Sequence, residues 1–143
     1  MLQVTFGVLA IVPGEANTVL LVKTTYRERK WQLPGGFVES NESPLQALDR
    51  ELLEECTLRV ETPELFGFYF KIYEQNFNMV FTCQPTVGTP SPADPEIAEV
   101  HFFATDKLPG SLSVRQQRIV ADWASGVQGP LIWAYRDPIT MTA

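Results

Sequence analysis

The sequence is poor in the residues that would specify several common functions. It has one histidine, two cysteines and three methionines among 143 residues, and no apolar run approaches the roughly 18 residues a membrane-crossing helix needs. Cys56 and Cys83 form neither a C-x-x-C nor a His/Cys pattern, which argues against a disulfide framework or a zinc site and leaves two buried thiols as the expectation. His101 stands among apolar strand residues with no second ligand at metal spacing, so a structural role is expected of it. Bases are also scarce. Eleven Lys and Arg against seventeen Asp and Glu give a net charge of −6 and a pI near 4.7, which argues against an electrostatic grip on a nucleic acid polymer or an anionic membrane. No Lys or Arg precedes the apolar stretch Val4 to Val12, so it reads as a strand rather than the core of a signal peptide, and a soluble cytoplasmic protein is expected.

What remains is enough to build a core. With 45% hydrophobic residues and no repeat, linker or low-complexity tract, residues 1–143 read as one domain. Strand character marks Gln3 to Val12, Thr18 to Lys23, Glu64 to Tyr73, Asn76 to Cys83 and Ile97 to Phe103. The third and fourth form a hairpin with a short connection near Glu74 and Gln75. A long loop follows, with four prolines between Gln84 and Pro95. Ser43, Pro44 and Gln46 give the start of a first helix with a capping box, and Ser113 and Gln116 repeat the arrangement for a second. Strands interleaved with two helices predict an α/β domain.

The negative charge is local. From Glu39 to Glu55 there are six acids (Glu39, Glu42, Asp49, Glu51, Glu54, Glu55) and one base, Arg50, so 17 residues hold −5 of the −6. On a helix from Pro44 to about Leu58, Leu45, Leu48, Leu52 and Cys56 make a stripe to bury, and Glu51, Glu54 and Glu55 fall together beside it. Like charges three or four apart weaken a helix by about 0.2–0.5 kcal/mol per pair, and acids near its C-terminal end oppose the macrodipole. A solvated stabilising face would interleave lysines instead. Three carboxylates converging on a rigid element suit a hard divalent cation, Mg²⁺ first, with Mn²⁺ able to replace it. Upstream, Gly35 and Gly36 sit where a backbone can approach a ligand or offer a carbonyl to metal. Lys23, Arg27, Arg29 and Lys30 form the densest basic group, so Arg27, Arg29 and Gly36 are candidates to hold phosphates against the metal.

These residues resemble the Nudix box. Gly36, Glu42, Arg50-Glu51-Leu52, Glu54-Glu55 and Leu58 match its pattern Gly-x5-Glu-x7-Arg-Glu-U-x-Glu-Glu-x-Gly-U, where U is bulky and apolar, at eight of nine specified positions; Thr57 replaces the final glycine. The resemblance implies an α/β/α sandwich with a mixed sheet and Mg²⁺-dependent hydrolysis of a small nucleotide, a nucleoside diphosphate linked to X, such as ADP-ribose, a nucleotide sugar or a triphosphate. It implies Glu51, Glu54 and Glu55 as the metal row, the Gly35 carbonyl as a further ligand, and Arg50 as their organiser with Glu42 as its partner. Glu54 is expected as base or base-orienting residue, with Glu96 or Glu99, from the stretch before and within a late strand, as the runner-up. The rival from another class is a non-catalytic nucleotide-binding regulatory module of the same fold. The glycine replaced by Thr57 ordinarily helps end the helix, so its geometry there is in question.

Other residues are expected to be structural. Phe66, Phe68 and Phe70 alternate along one strand and predict a wholly aromatic buried face, while Tyr26, Tyr69, Tyr73 and Trp133 read as core or rim packing. The apolar first strand and Leu131 to Tyr135 are the candidate segments for pairing with a second copy in a homodimer.

Overall fold

A computed structural model describes residues 1–85, 89–135 and 141–142, apart from the side chains of Arg27, Pro85, Tyr135, Met141 and Thr142. The chain order is β1 (Thr5–Ile11), β2 (Thr18–Thr24), a turn at Arg27–Arg29, β3 (Trp31–Gln32), β4 (Gly35–Phe37), α1 (Pro44–Cys56), β5 (Val60–Lys71), β6 (Asn76–Pro85), β7 (Ile97–Ala104), α2 (Val114–Ala124), β8 (Leu131–Tyr135) and β9 (Met141–Thr142). A six-stranded mixed sheet runs β4-β1-β6-β5-β8-β9, and a three-stranded antiparallel sheet runs β3-β2-β7. The mixed sheet expected from the sequence is the larger of the two.

Alternation along β1 shows how the layers form. Val8, Ala10 and Val12 join the core that contains Leu48, Leu52 and Cys56 of α1, whereas Leu9 and Ile11 join the one that contains Ile119 and Val120 of α2. Side chains of successive strand residues point to opposite faces, so the two helices lie on opposite sides of the strands. The α/β/α sandwich follows. β1 is flanked by β4 and β6, and β8 by β5 along its length and by β9 at Ala134 and Tyr135. Among the described residues, no helix is long and apolar enough to cross a membrane.

Two local expectations change. Leu45 is exposed, because the buried arc of α1 is centred nearer Ala47, Leu48 and Glu55 than the apolar stripe suggested. In β5 the register against β6 shifts between Leu65 and Gly67, and this bulge turns the strand over at Phe66. Phe66 and Tyr69 therefore share the α2 core, while Phe68 and Phe70 pack on Phe77 at 5.3 and 6.0 Å on the other face. The hydroxyl of Tyr69 donates to Asp122 of α2 at 3.1 Å, and Arg118 donates to the other oxygen of Asp122 at 2.8 Å.

The helix that matters for the site starts and stops as its sequence asks. Ser43 and Gln46 form the reciprocal capping box. At the other end Thr57 takes the left-handed conformation (φ 58°, ψ 35°), and its N–H donates to the carbonyls of Leu52 and Leu53. Holding a residue with a β-carbon there costs about 1–2 kcal/mol relative to glycine. The missing glycine therefore leaves the cap intact, and something beyond the backbone must offset the cost.

Candidate active site

Glycine is required by the backbone at Gly35, and at Gly36 it makes room for a carboxylate. Gly35 has φ +150°, and a β-carbon on it would meet the Val8 carbonyl of β1. At Gly36 a β-carbon would occupy the place of the Glu51 carboxylate. The bare backbone of β4 lets α1 lie close, and the Gly35 N–H donates to Glu55 Oε1 at 2.7 Å.

Arg50 organises the acids. Its Nε and Nη2 make a fork onto Glu42 at 2.8 and 3.0 Å, Nη1 donates to Glu51 at 3.0 Å and Glu54 at 3.4 Å, and Nη2 also donates to the Phe37 carbonyl at 3.0 Å. Glu39 stands 3.7 Å from Nη1. Bidentate charge-assisted bonds of this kind fix direction as well as distance. The Arg50 hydrogen bonds, with the Glu39 N–H, hold Glu42 down to about 2, and Glu42 in turn raises the already high pKa of Arg50.

The three carboxylates expected to form the metal row lie in a graded environment. Glu54 is half exposed, with 47% of its side chain open, whereas Glu55 as a residue is only 8% exposed. Burial pushes Glu55 up to about 8 despite the Gly35 N–H, with the charges of Glu51, Glu54 and Asp94 adding to the rise. Glu51 is raised too, again mainly by burial, although Arg50 opposes it. No three acidic, histidine or cysteine side chains among the described residues are gathered into a ready-made metal group. Glu51 and Glu54 are turned to Arg50, and Glu55 to Gly35. The donor set nonetheless fits a hard divalent ion: all the candidate donors are oxygens, and a buried carboxylate that is unfavourable when ionised gains from a cation beside it.

That burial has a consequence for stability. Below about pH 4.5 Glu55 is protonated folded or unfolded; between 4.5 and about 8 only the folded form keeps the proton, so stability falls as pH rises through this window. In metal-free protein, Glu55→Gln is expected to gain on the wild type across the window, reaching about 2–4 kcal/mol near pH 8. Glu42 titrates below this range and does not mask the effect. Thermal denaturation from pH 5 to 8 measures it, and parallel curves for the two proteins would refute it.

The other candidates are dispersed. Glu96 is exposed, its carbonyl accepting from Thr25 N–H and its own N–H donating to Asp94. It is Asp94 of that loop whose charge bears on Glu55. Glu99 pairs with Lys23 at 3.5 Å, and Lys30 with Glu28 at 3.3 Å. Arg29 is exposed in its turn, and the Arg27 side chain lies outside the described residues. His101 is exposed, with Phe103 edge-on to it at 4.9 Å.

The cleft beside Gly35 and Gly36 is lined by residues that sequence reasoning missed: Lys71, Asn76, Asn78, Gln32 and Gln116. Gln116 completes only half of its expected capping box. Its backbone N–H reaches Ser113, but its side-chain oxygen accepts from Leu33 N–H at 2.7 Å, so its NH₂ is what it offers the cleft. Asn78 donates to Asn76, which donates to Thr5, and this relay fixes the Asn78 carbonyl oxygen as the group over Gly7. The signal was faint, since single amides and one lysine spread over β5, β6 and α2 form no pattern in sequence.

A family profile described as the NUDIX domain matches residues 1–123. A MutT-like protein of Streptomyces ambofaciens is 34% identical over 57% of this chain and 53% of its own length. A protein of Bacillus subtilis named as a putative 8-oxo-dGTP diphosphatase is 30% identical over 87% of this chain and 83% of that protein. The match thus spans about half of the first relative and most of the second. Among solved structures, a NUDIX hydrolase from Nitrosomonas europaea aligns with a TM-score of 0.75 and 29% identity over 92% of this chain and 80% of that one.

Proposed function

Because the chain belongs to the Nudix hydrolase family, we propose that it hydrolyses the diphosphate linkage of a small nucleotide, a nucleoside diphosphate joined to X, with Mg²⁺ held by Glu51, Glu54 and Glu55. The observation that carries this reading is the Arg50 hub: one guanidinium gathers Glu42, Glu51 and Glu54 beside the two glycines of β4, which line a cleft with Lys71, Asn78 and Gln116. The Gly35 carbonyl is the further ligand of the proposal. When bound, the metal supplies charge neutralisation at the diphosphate and an acidified water.

The chain's own residues do the rest. Arg50 and Glu42 hold the row so that little reorganisation accompanies the reaction. In this reading Glu54 takes or directs a proton from the attacking water, a role supported by its being the most open of the three. Lys71 brings positive charge to the cleft, and Asn78 and Gln116 present an acceptor and a donor of fixed polarity, a combination that can read the edge of a base or sugar. Oxidised nucleoside triphosphates, the substrates in the name of the Bacillus relative, belong to this class alongside ADP-ribose and nucleotide sugars.

The decisive experiment is a substrate panel with Mg²⁺ and with Mn²⁺, with products identified to show which phosphorus is attacked. Tight binding by calorimetry with no turnover of any member would overturn the hydrolase reading in favour of a regulatory binding module. On the substrate found, Asn78→Ala and Gln116→Ala are each expected to raise KM about tenfold while changing kcat less, as loss of a recognition hydrogen bond should. Unchanged KM in both would remove these amides from recognition.

A further inference from the structure

The left-handed Thr57 is the one specified position at which this chain departs from the Nudix pattern, and its side chain is engaged where glycine has none. Thr57 Oγ1 donates to the Ser91 carbonyl at 3.0 Å and accepts from Ser91 Oγ at 3.2 Å. The Ser91 N–H donates to the Cys56 carbonyl at 2.9 Å, one of the groups that a helix end leaves without an intrahelical partner. One residue of the proline-rich loop is thus joined to the end of α1 by three hydrogen bonds. The same loop is tied at its other end, where Thr25 donates through its hydroxyl to the Pro95 carbonyl at 3.1 Å and through its N–H to Glu96 at 2.8 Å.

Between the two ties lies Asp94. Its Oδ1 accepts from Glu96 N–H at 2.8 Å and its carbonyl from Ile97 N–H at 2.9 Å, so its orientation is set by the loop's own backbone. We propose that Thr57 is a positioning residue, which through Ser91 clamps residues 91–96 onto the C-terminal end of α1 and so holds the Asp94 carboxylate beside the metal row. The charge of Asp94 already reaches Glu55. A glycine at position 57 would relax the backbone and release the loop; threonine accepts the strain and keeps the loop in register with the helix. This role rests on the hydrolase reading for its catalytic consequence, but the clamp itself does not.

Three variants separate the hydroxyl from the strain. Thr57→Val keeps the β-branched side chain and loses the hydroxyl, Thr57→Gly loses both, and Thr57→Ser keeps the hydroxyl. In metal-free protein, amide exchange at Ser91 is expected to quicken about tenfold in Thr57→Val and Thr57→Gly and to stay near wild type in Thr57→Ser, with core amides of β1 and β6 unchanged. On a turned-over substrate, kcat should fall about three- to tenfold in the first two and recover in the third, with KM little altered. If no substrate is turned over, Mn²⁺ affinity read from the EPR signal of the free ion supplies the same comparison, with several-fold weaker binding expected in Thr57→Val. Unchanged Ser91 exchange in Thr57→Val and Thr57→Gly overturns the clamp. Faster exchange with kcat and Mn²⁺ affinity both unchanged overturns the positioning role.

Discussion

Glu55→Gln and Glu54→Gln are each expected to lower the proposed Mg²⁺-dependent diphosphate hydrolysis by about a thousandfold, because in that reaction each would remove a negative oxygen donor from a site that acts electrostatically. The two changes leave the fold alone for different reasons. Glu54 is half exposed and makes one long bond, 3.4 Å to Arg50. Glu55 is buried, but glutamine keeps an oxygen that can accept the Gly35 N–H, and without metal it removes a carboxylate that resists ionisation. Glu55→Gln should therefore be less active and, above about pH 6, more stable at once. A destabilised scaffold cannot produce that pair of results. Hydrolysis within a few-fold of wild type in either variant would remove that residue from the metal row, and a loss of activity accompanied by a lower melting temperature would point to packing instead.

How far this site was legible in the sequence depends on whether its parts lie close along the chain. The glutamate row, Arg50 and Glu42 occupy one loop and helix, where fixed spacing translates into a shared face, so they could be named in advance. The carboxylates' inequality could not. Glu54 and Glu55 are neighbours in sequence, yet the first faces solvent and the second lies under β4, because the buried arc of α1 is turned from the apolar stripe toward Ala47 and Glu55. The basic group misled for a related reason. Lys23 and Lys30 are dense in sequence, but the cation lining the cleft beside Gly35 and Gly36 is Lys71, which arrives from a distant strand and, like them, has an acid partner, Glu74 at 3.5 Å. Asp94, Asn78 and Gln116 are legible only once strands are paired. Phe66 shows the limit within a single strand, since one bulge reversed the face that alternation predicted.

Arg50→Lys is the substitution that separates organisation from charge. The guanidinium uses its fork on Glu42, one further nitrogen on Glu51 and Glu54, and a bond to the Phe37 carbonyl. A lysine ammonium keeps the positive charge but is a single point on a flexible stem and cannot reproduce the fork. If Arg50 served only to offset negative charge, lysine would suffice. Because it fixes direction, kcat/KM is expected to fall about a hundredfold even in the lysine variant, as misplacement of catalytic groups by an ångström commonly does. Arg50→Ala should add an electrostatic effect. Burial already raises Glu51 and Arg50 opposes that rise, so removing the cation should raise Glu51 further and move the acid limb of the pH–activity profile to higher pH. Activity within about threefold of wild type in Arg50→Lys would leave Arg50 as a counter-charge only. An acid limb unmoved in Arg50→Ala would mean that Glu51 is not among the groups whose ionisation the reaction requires.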